Sequence, residues 1–86
     1  MINLNNFKFK DVKIVDIDGD VFVGHIEYYT KALDDPDGLA NIALVPYNLP
    51  NWDSDSLLEL YEKDIVSIEV LESAEVVAES RQLQLA

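Results

Sequence analysis

The sequence predicts an all-β domain of five short strands bent into one small barrel. Three observations carry this: β-branched residues recur in short runs, an Asp-Gly pair joins the first two runs, and a glycine interrupts the second. At 86 residues and 9.7 kDa, the chain scales to about 5,000 Å² of folded surface against about 14,000 Å² unfolded, enough for one compact core. With 49% hydrophobic residues, it has the apolar material to order itself.

Residues 10–17 read Lys-Asp-Val-Lys-Ile-Val-Asp-Ile, with Val12 and Ile14 alternating against polar neighbours, as in a half-buried strand. Asp18-Gly19 ends the run with a pair that accepts positive φ, so residues 11–30 are expected to form a hairpin. In its second arm, strict alternation places Phe22, Gly24, Ile26 and Tyr28 on one face and Val21, Val23, His25, Glu27 and Tyr29 on the other. Gly24 removes a side chain within the strand, which marks a bend or a close backbone approach. Residues 31–38, with Pro36, Gly38 and three acids, form an acidic loop. A third strand covers 39–45 and stops at Pro46. A second loop over 47–55 is rich in aromatics and proline. Leu58 and Leu60, then residues 65–70, are two further strands joined by the tight polar step Glu62-Lys63-Asp64.

Leu4 and Phe7, three apart, suit one helical turn packed on the barrel end. Residues 73–86 suit a helical or frayed tail, with Ser73 as N-cap and Glu75 in the first turn, where the helix dipole favours acids. The barrel domain is therefore placed at 1–72 and the tail at 73–86.

Six Lys plus Arg stand against seventeen Asp plus Glu, a formal charge of −11. The imbalance is uneven: residues 1–33, with Lys8, Lys10, Lys13 and Lys31, are net −1, and residues 34–86 are net −10. Such a surface repels polyanions, which argues against duplex DNA as a partner. The absence of cysteine excludes disulfides, thiolate metal sites and a Cys nucleophile. Residues 1–6 lack a basic segment followed by an apolar run, and no apolar stretch approaches eighteen residues; a cytoplasmic protein outside the membrane is expected.

Asp16, Asp18, Asp20 and Glu27 fall at positions 1, 3, 5 and 12 of a calcium-loop spacing, but Val21 stands where that loop needs glycine, and the flanks alternate as strands. These acids are read as decorating a hairpin, and Asp34, Asp35 and Asp37 as a solvated loop. No metal site and no cofactor are expected. His25, the sole histidine, is a strand residue rather than a base, no phosphate-cradling glycine pattern exists, and no named chemistry supports an enzyme.

Two segments, Asp18-Gly19-Asp20-Val21-Phe22-Val23-Gly24-His25-Ile26 and Asp37-Gly38-Leu39-Ala40-Asn41-Ile42-Ala43-Leu44, together with Leu60-Tyr61-Glu62-Lys63-Asp64-Ile65-Val66-Ser67-Ile68, resemble the two motifs of Sm-like domains. These are the small SH3-like barrels of the Sm, LSm and Hfq proteins. The resemblance spans about residues 10–71. It implies rings formed by pairing the fourth strand of one subunit with the fifth of the next, here carried by Leu58, Leu60, Ile65, Val66 and Ile68. It also implies single-stranded RNA contacts at Asn41, Tyr61 and Lys63. The Arg-Gly pair of the Sm second motif is missing, and Glu62 and Lys63 replace the Lys and His that follow the tyrosine in the Hfq version.

Two functional readings follow. The chain is an Sm-like homo-oligomer acting as an acidic protein-interaction module, with Tyr47, Leu49 and Trp52, beside Pro50, as its contact patch; exposed aromatics are enriched at hot spots. Alternatively, the ring binds single-stranded RNA through Asn41, Tyr61 and Lys63.

Overall fold

The computed structural model describes residues 3–49, 51–53, 55–72 and 74; the expected tail helix lies outside them apart from Ala74. Five antiparallel strands form one sheet: β1 (Asp11–Asp16), β2 (Val21–Thr30), β3 (Asn41–Pro46), β4 (Leu58–Tyr61) and β5 (Ile65–Val70), in the order β4-β3-β2-β1-β5. The expected N-terminal turn is a 3-10 turn at Leu4–Phe7, capped by the Asn3 side chain.

Chain connectivity requires this sheet to curl. Flat, its outermost strands would stand roughly 19 Å apart, four spacings of about 4.8 Å. Yet β4 and β5 are joined by the single 3-10 turn Glu62–Asp64, which spans only about 6 Å at ~2 Å per residue. Backbone bonds fix this turn to both sides of the sheet: Glu62 N–H donates to Ala40 C=O (2.9 Å), and Ile17 N–H donates to Asp64 C=O (2.9 Å).

Two register shifts supply the curvature. In β2, Ile26 opposes Leu44 and Tyr28 opposes Ala43, so Glu27 is an extra residue. In β5, Ile65 opposes Asp16 and Ser67 opposes Val15, so Val66 is extra. A bulge bends its strand and flips the alternation beyond it. The face assignment drawn from strict alternation is therefore corrected past Glu27. Tyr29, opposite the buried Ile42, packs against the core, and Tyr28 is exposed.

The core holds Leu4, Val12, Ile14, Ile26, Ile42, Leu44, Leu60 and Ile65, each aliphatic contributing about 1.5–3 kcal/mol on burial. At Gly24, opposite Pro46, the backbone of β3 leaves no room for a side chain on β2. A Cβ there would collide with the Val45 carbonyl oxygen and come within 2.9 Å of both Leu44 Cδ1 and Pro46 Cα. The hairpin turn follows the Asp-Gly signal, with Gly19 at φ 82, while the Asp16 carboxylate accepts from Asp18 N–H (3.0 Å) and Asp20 N–H (2.9 Å). Among the described residues no helix is long and apolar enough to cross a membrane.

Candidate functional site

A groove of about 460 Å³ opens at one end of the barrel, between the loop preceding β3 and the β4–β5 turn. Its walls are Ala32, Gly38, Leu39 and Ala40 on one side and Glu62, Lys63, Ile65 and Val66 on the other. The volume lies within the range of ordinary ligand clefts, about 300–1,000 Å³. The bulge in β5 shapes one wall, because the extra residue Val66 is pushed outward and is 62% exposed.

The other wall is held by one carboxylate. Asp35 accepts from Asp37 N–H (3.0 Å) and Leu39 N–H (3.0 Å) through Oδ2 and from Asn41 Nδ2 (3.3 Å) through Oδ1. Asn41 also donates to Leu39 C=O (2.9 Å) and is buried. Its amide therefore fastens the loop to the first residue of β3. Tyr61 lies opposite Asn41 in the β3–β4 register. A hydrogen bond to Glu59 and that carboxylate's charge, then desolvation and the charges of Asp35 and Asp37, raise the Tyr61 hydroxyl from 10.0 to about 12. Lys63 is exposed on the groove wall beside Glu62. The three residues expected to meet RNA thus gather at one end of the barrel. Asn41 is engaged internally there, and the surroundings of Tyr61 are negative.

The five residues assigned to subunit pairing divide by direction. Leu60 and Ile65 belong to the core, Leu58 and Ile68 pack against it, and only Val66 points outward. Among the described residues no strand covers the outer edge of β4 or β5; Val70, half exposed, continues the apolar character of the β5 edge.

The aromatic loop is organised from within. Trp52 is half-buried; its indole N–H donates to Ser56 C=O (2.8 Å) and its backbone N–H to Leu49 C=O (3.0 Å). Leu49 is half-buried as well. The Tyr47 hydroxyl donates to Asp11 Oδ1 (2.9 Å), which also meets His25 Nδ1 at 3.0 Å. Partial burial, then this hydrogen bond and the Asp11 and Glu27 charges, push Tyr47 up to about 12. Next to them, Asn48 does what a strand neighbour would do. Its Oδ1 accepts from Val23 N–H (2.9 Å) and its Nδ2 donates to Val21 C=O (2.9 Å), satisfying β2 where β3 has ended. Asn48 carries no local signal of this role, because its amide pairs with a strand twenty-five residues away.

Asp16, Asp18 and Asp20 place one oxygen each within 4.8 Å of one another, and it is the turn held by Asp16 that collects them. Glu27 sits far along β2, at its bulge, away from that turn. Comparison of the chain with family models, with curated proteins and with solved structures returns no match.

Proposed function

We propose that this chain is a non-enzymatic, self-associating Sm-like protein that acts as an acidic protein-interaction module, taking its partner in the groove at the barrel end. The observation that carries the reading is the pairing of an apolar floor with a negative surround. Leu39, Ala40, Ile65 and Val66 line the groove. Asp34, Asp35, Asp37, Glu59, Glu62 and Asp64 lie on the segments that form or adjoin it, against Lys31 and Lys63. Lys31 itself stands 4.0 Å from Asp34. Such a surface favours a cationic segment with apolar side chains and disfavours phosphate.

The Sm-like part of the proposal is supported by the strand order β4-β3-β2-β1-β5 and by the one-turn link between β4 and β5. Self-association is supported by the uncovered β5 edge, since bare apolar edges invite pairing. The test is fluorescence anisotropy of the whole protein against labelled Leu/Lys-alternating peptides and uridine-rich or adenine-rich RNA, at 50 mM and 200 mM salt. Micromolar peptide binding that weakens with salt and with Glu62→Lys is the expected result. RNA binding that weakens with salt and with Lys63→Ala would put the RNA reading in its place, and binding of neither probe would overturn the groove as a docking site.

A further inference from the structure

The barrel carries, at its other end, a segment with the chemistry the groove calls for. Phe9 is 61% exposed, flanked by the exposed Lys8 and Lys10. It is the one non-glycine residue with positive φ among those described, at 63°. A bulky side chain in that region is uncommon and concentrates at functional sites. The conformation is held by Phe9 N–H donating to Ile26 C=O at 3.0 Å, and Lys8 Nζ lies over the ring, 5.1 Å from its centroid. The result is a preformed knob, an outward aromatic ring with two cations beside it.

Resting on the reading of the groove as a docking site, we propose that its occupant is a second copy of this chain, which inserts Phe9 between Leu39 and Val66 and sets Lys8 and Lys10 against the carboxylates around Glu62. The knob cannot reach its own groove. Phe9 lies just before Asp11, the first residue of β1, whereas the groove adjoins Ile65, which opposes Asp16 at the last residue of β1. The length of that strand, roughly 17 Å, separates them. Each copy therefore offers a knob at one end and a groove at the other, a head-to-tail contact that either closes into a ring or extends. Charge supports the same occupant: the knob belongs to the nearly neutral residues 1–33 and the groove to residues 34–86, which are net −10. The raised Tyr61 hydroxyl, which senses Asp35 and Asp37 as well as Glu59, marks the negative potential the lysines would meet.

Docking of the knob has a signature that pairing of β4 with a neighbour's β5 lacks: both contacts run head to tail, but only the first depends on Phe9, Lys8 and Lys10. Sedimentation velocity of the full chain follows association with concentration. Phe9→Asp removes the knob and keeps the groove, and Val66→Asp does the reverse; both sites are exposed, and circular dichroism checks the fold. The expected result is at least a tenfold loss of association in each variant alone, and a one-to-one dimer that grows no further when the two are mixed. Lys8→Glu combined with Lys10→Glu, which leaves the ring in place, is expected to give the same loss, and wild-type association to weaken with salt. A wild-type chain that stays monomeric, variants that associate like the wild type, or a mixture that stays monomeric would overturn the proposal. If the Leu/Lys peptide still binds in that case, the groove remains a docking site and only the second copy is excluded as its occupant. If it does not, both readings fall.

Discussion

β2 and β5 each carry one extra residue, and the same backbone device has opposite results in the two strands. In β2, an inner strand of the sheet, the bulge at Glu27 lies two residues past the last pair with β1, Asp11–His25, and it turns Ile26 and Tyr29, three apart, toward the core. In β5 the bulge at Val66 lies on an edge strand; Ile65 and Ile68, again three apart, face inward, but the extra residue is left in solvent on the groove wall. A bulge inside the sheet builds the core, and a bulge on the rim builds a surface. The two strands differ in place: β2 lies inside the sheet order and β5 at its edge.

The contrast can be broken first where β2 is tightest. Gly24→Ala drives a Cβ into the Val45 carbonyl and against Pro46, neither of which is a flexible side chain; a loss of about 4 kcal/mol or more is expected, read as unfolding in a urea titration. Ile26→Ala, fully buried beside the β2 bulge, is expected to lose about 3 kcal/mol, within the range for buried aliphatics. Asn48→Ala leaves the buried Val23 N–H without its acceptor, for which about 1–3 kcal/mol is expected by the same titration. Smaller still is an alkaline effect at Tyr47. Its hydroxyl is raised from 10.0 to about 12 in the folded chain, so above 10 the unfolded chain releases this proton while the folded chain keeps it. The stabilisation is whole below 10 and is lost as pH climbs toward 12. Tyr47→Phe should flatten part of that decline in denaturant midpoint. At the rim of β5, Val66→Ala should change stability by no more than about 0.5 kcal/mol. A loss comparable to that of Ile26→Ala would erase the distinction between the two bulges.

Much of the fold was legible because its signals are local. Alternating β-branched residues located the strands, Asp18-Gly19 located the hairpin, Leu4 and Phe7 located the first turn, and Gly24 announced a close approach that Val45 and Pro46 provide. The bulges were not legible, because an extra residue exists only relative to the strand it fails to pair with; Tyr28 and Tyr29 exchange faces for that reason. The candidate site divides in the same way. Asn41, Tyr61 and Lys63 are marked only by the resemblance to the Sm-like motifs; Asn41 and Tyr61 are partners in the β3–β4 register and Lys63 lies on the groove wall. The Asp35 carboxylate that holds Asn41, the outward turn of Val66 and the exposure of Phe9 depend on tertiary geometry, which composition and periodicity do not encode.

The pairing of β1 with β5 also bears on how the chain comes off the ribosome. Val12 finds its partner Val70 only after nearly all of the described chain has been made. The β1–β2 hairpin and β3 can assemble early, but one side of β1 must wait with its backbone groups unpaired. Closing so long a loop adds entropy slowly with length but slows folding, and a waiting strand edge is the usual template for wrong partners. A chain halted before β5 would therefore leave Val12 and Ile14 on an open edge, and translation of the last strand is the step that pairs the waiting side of β1.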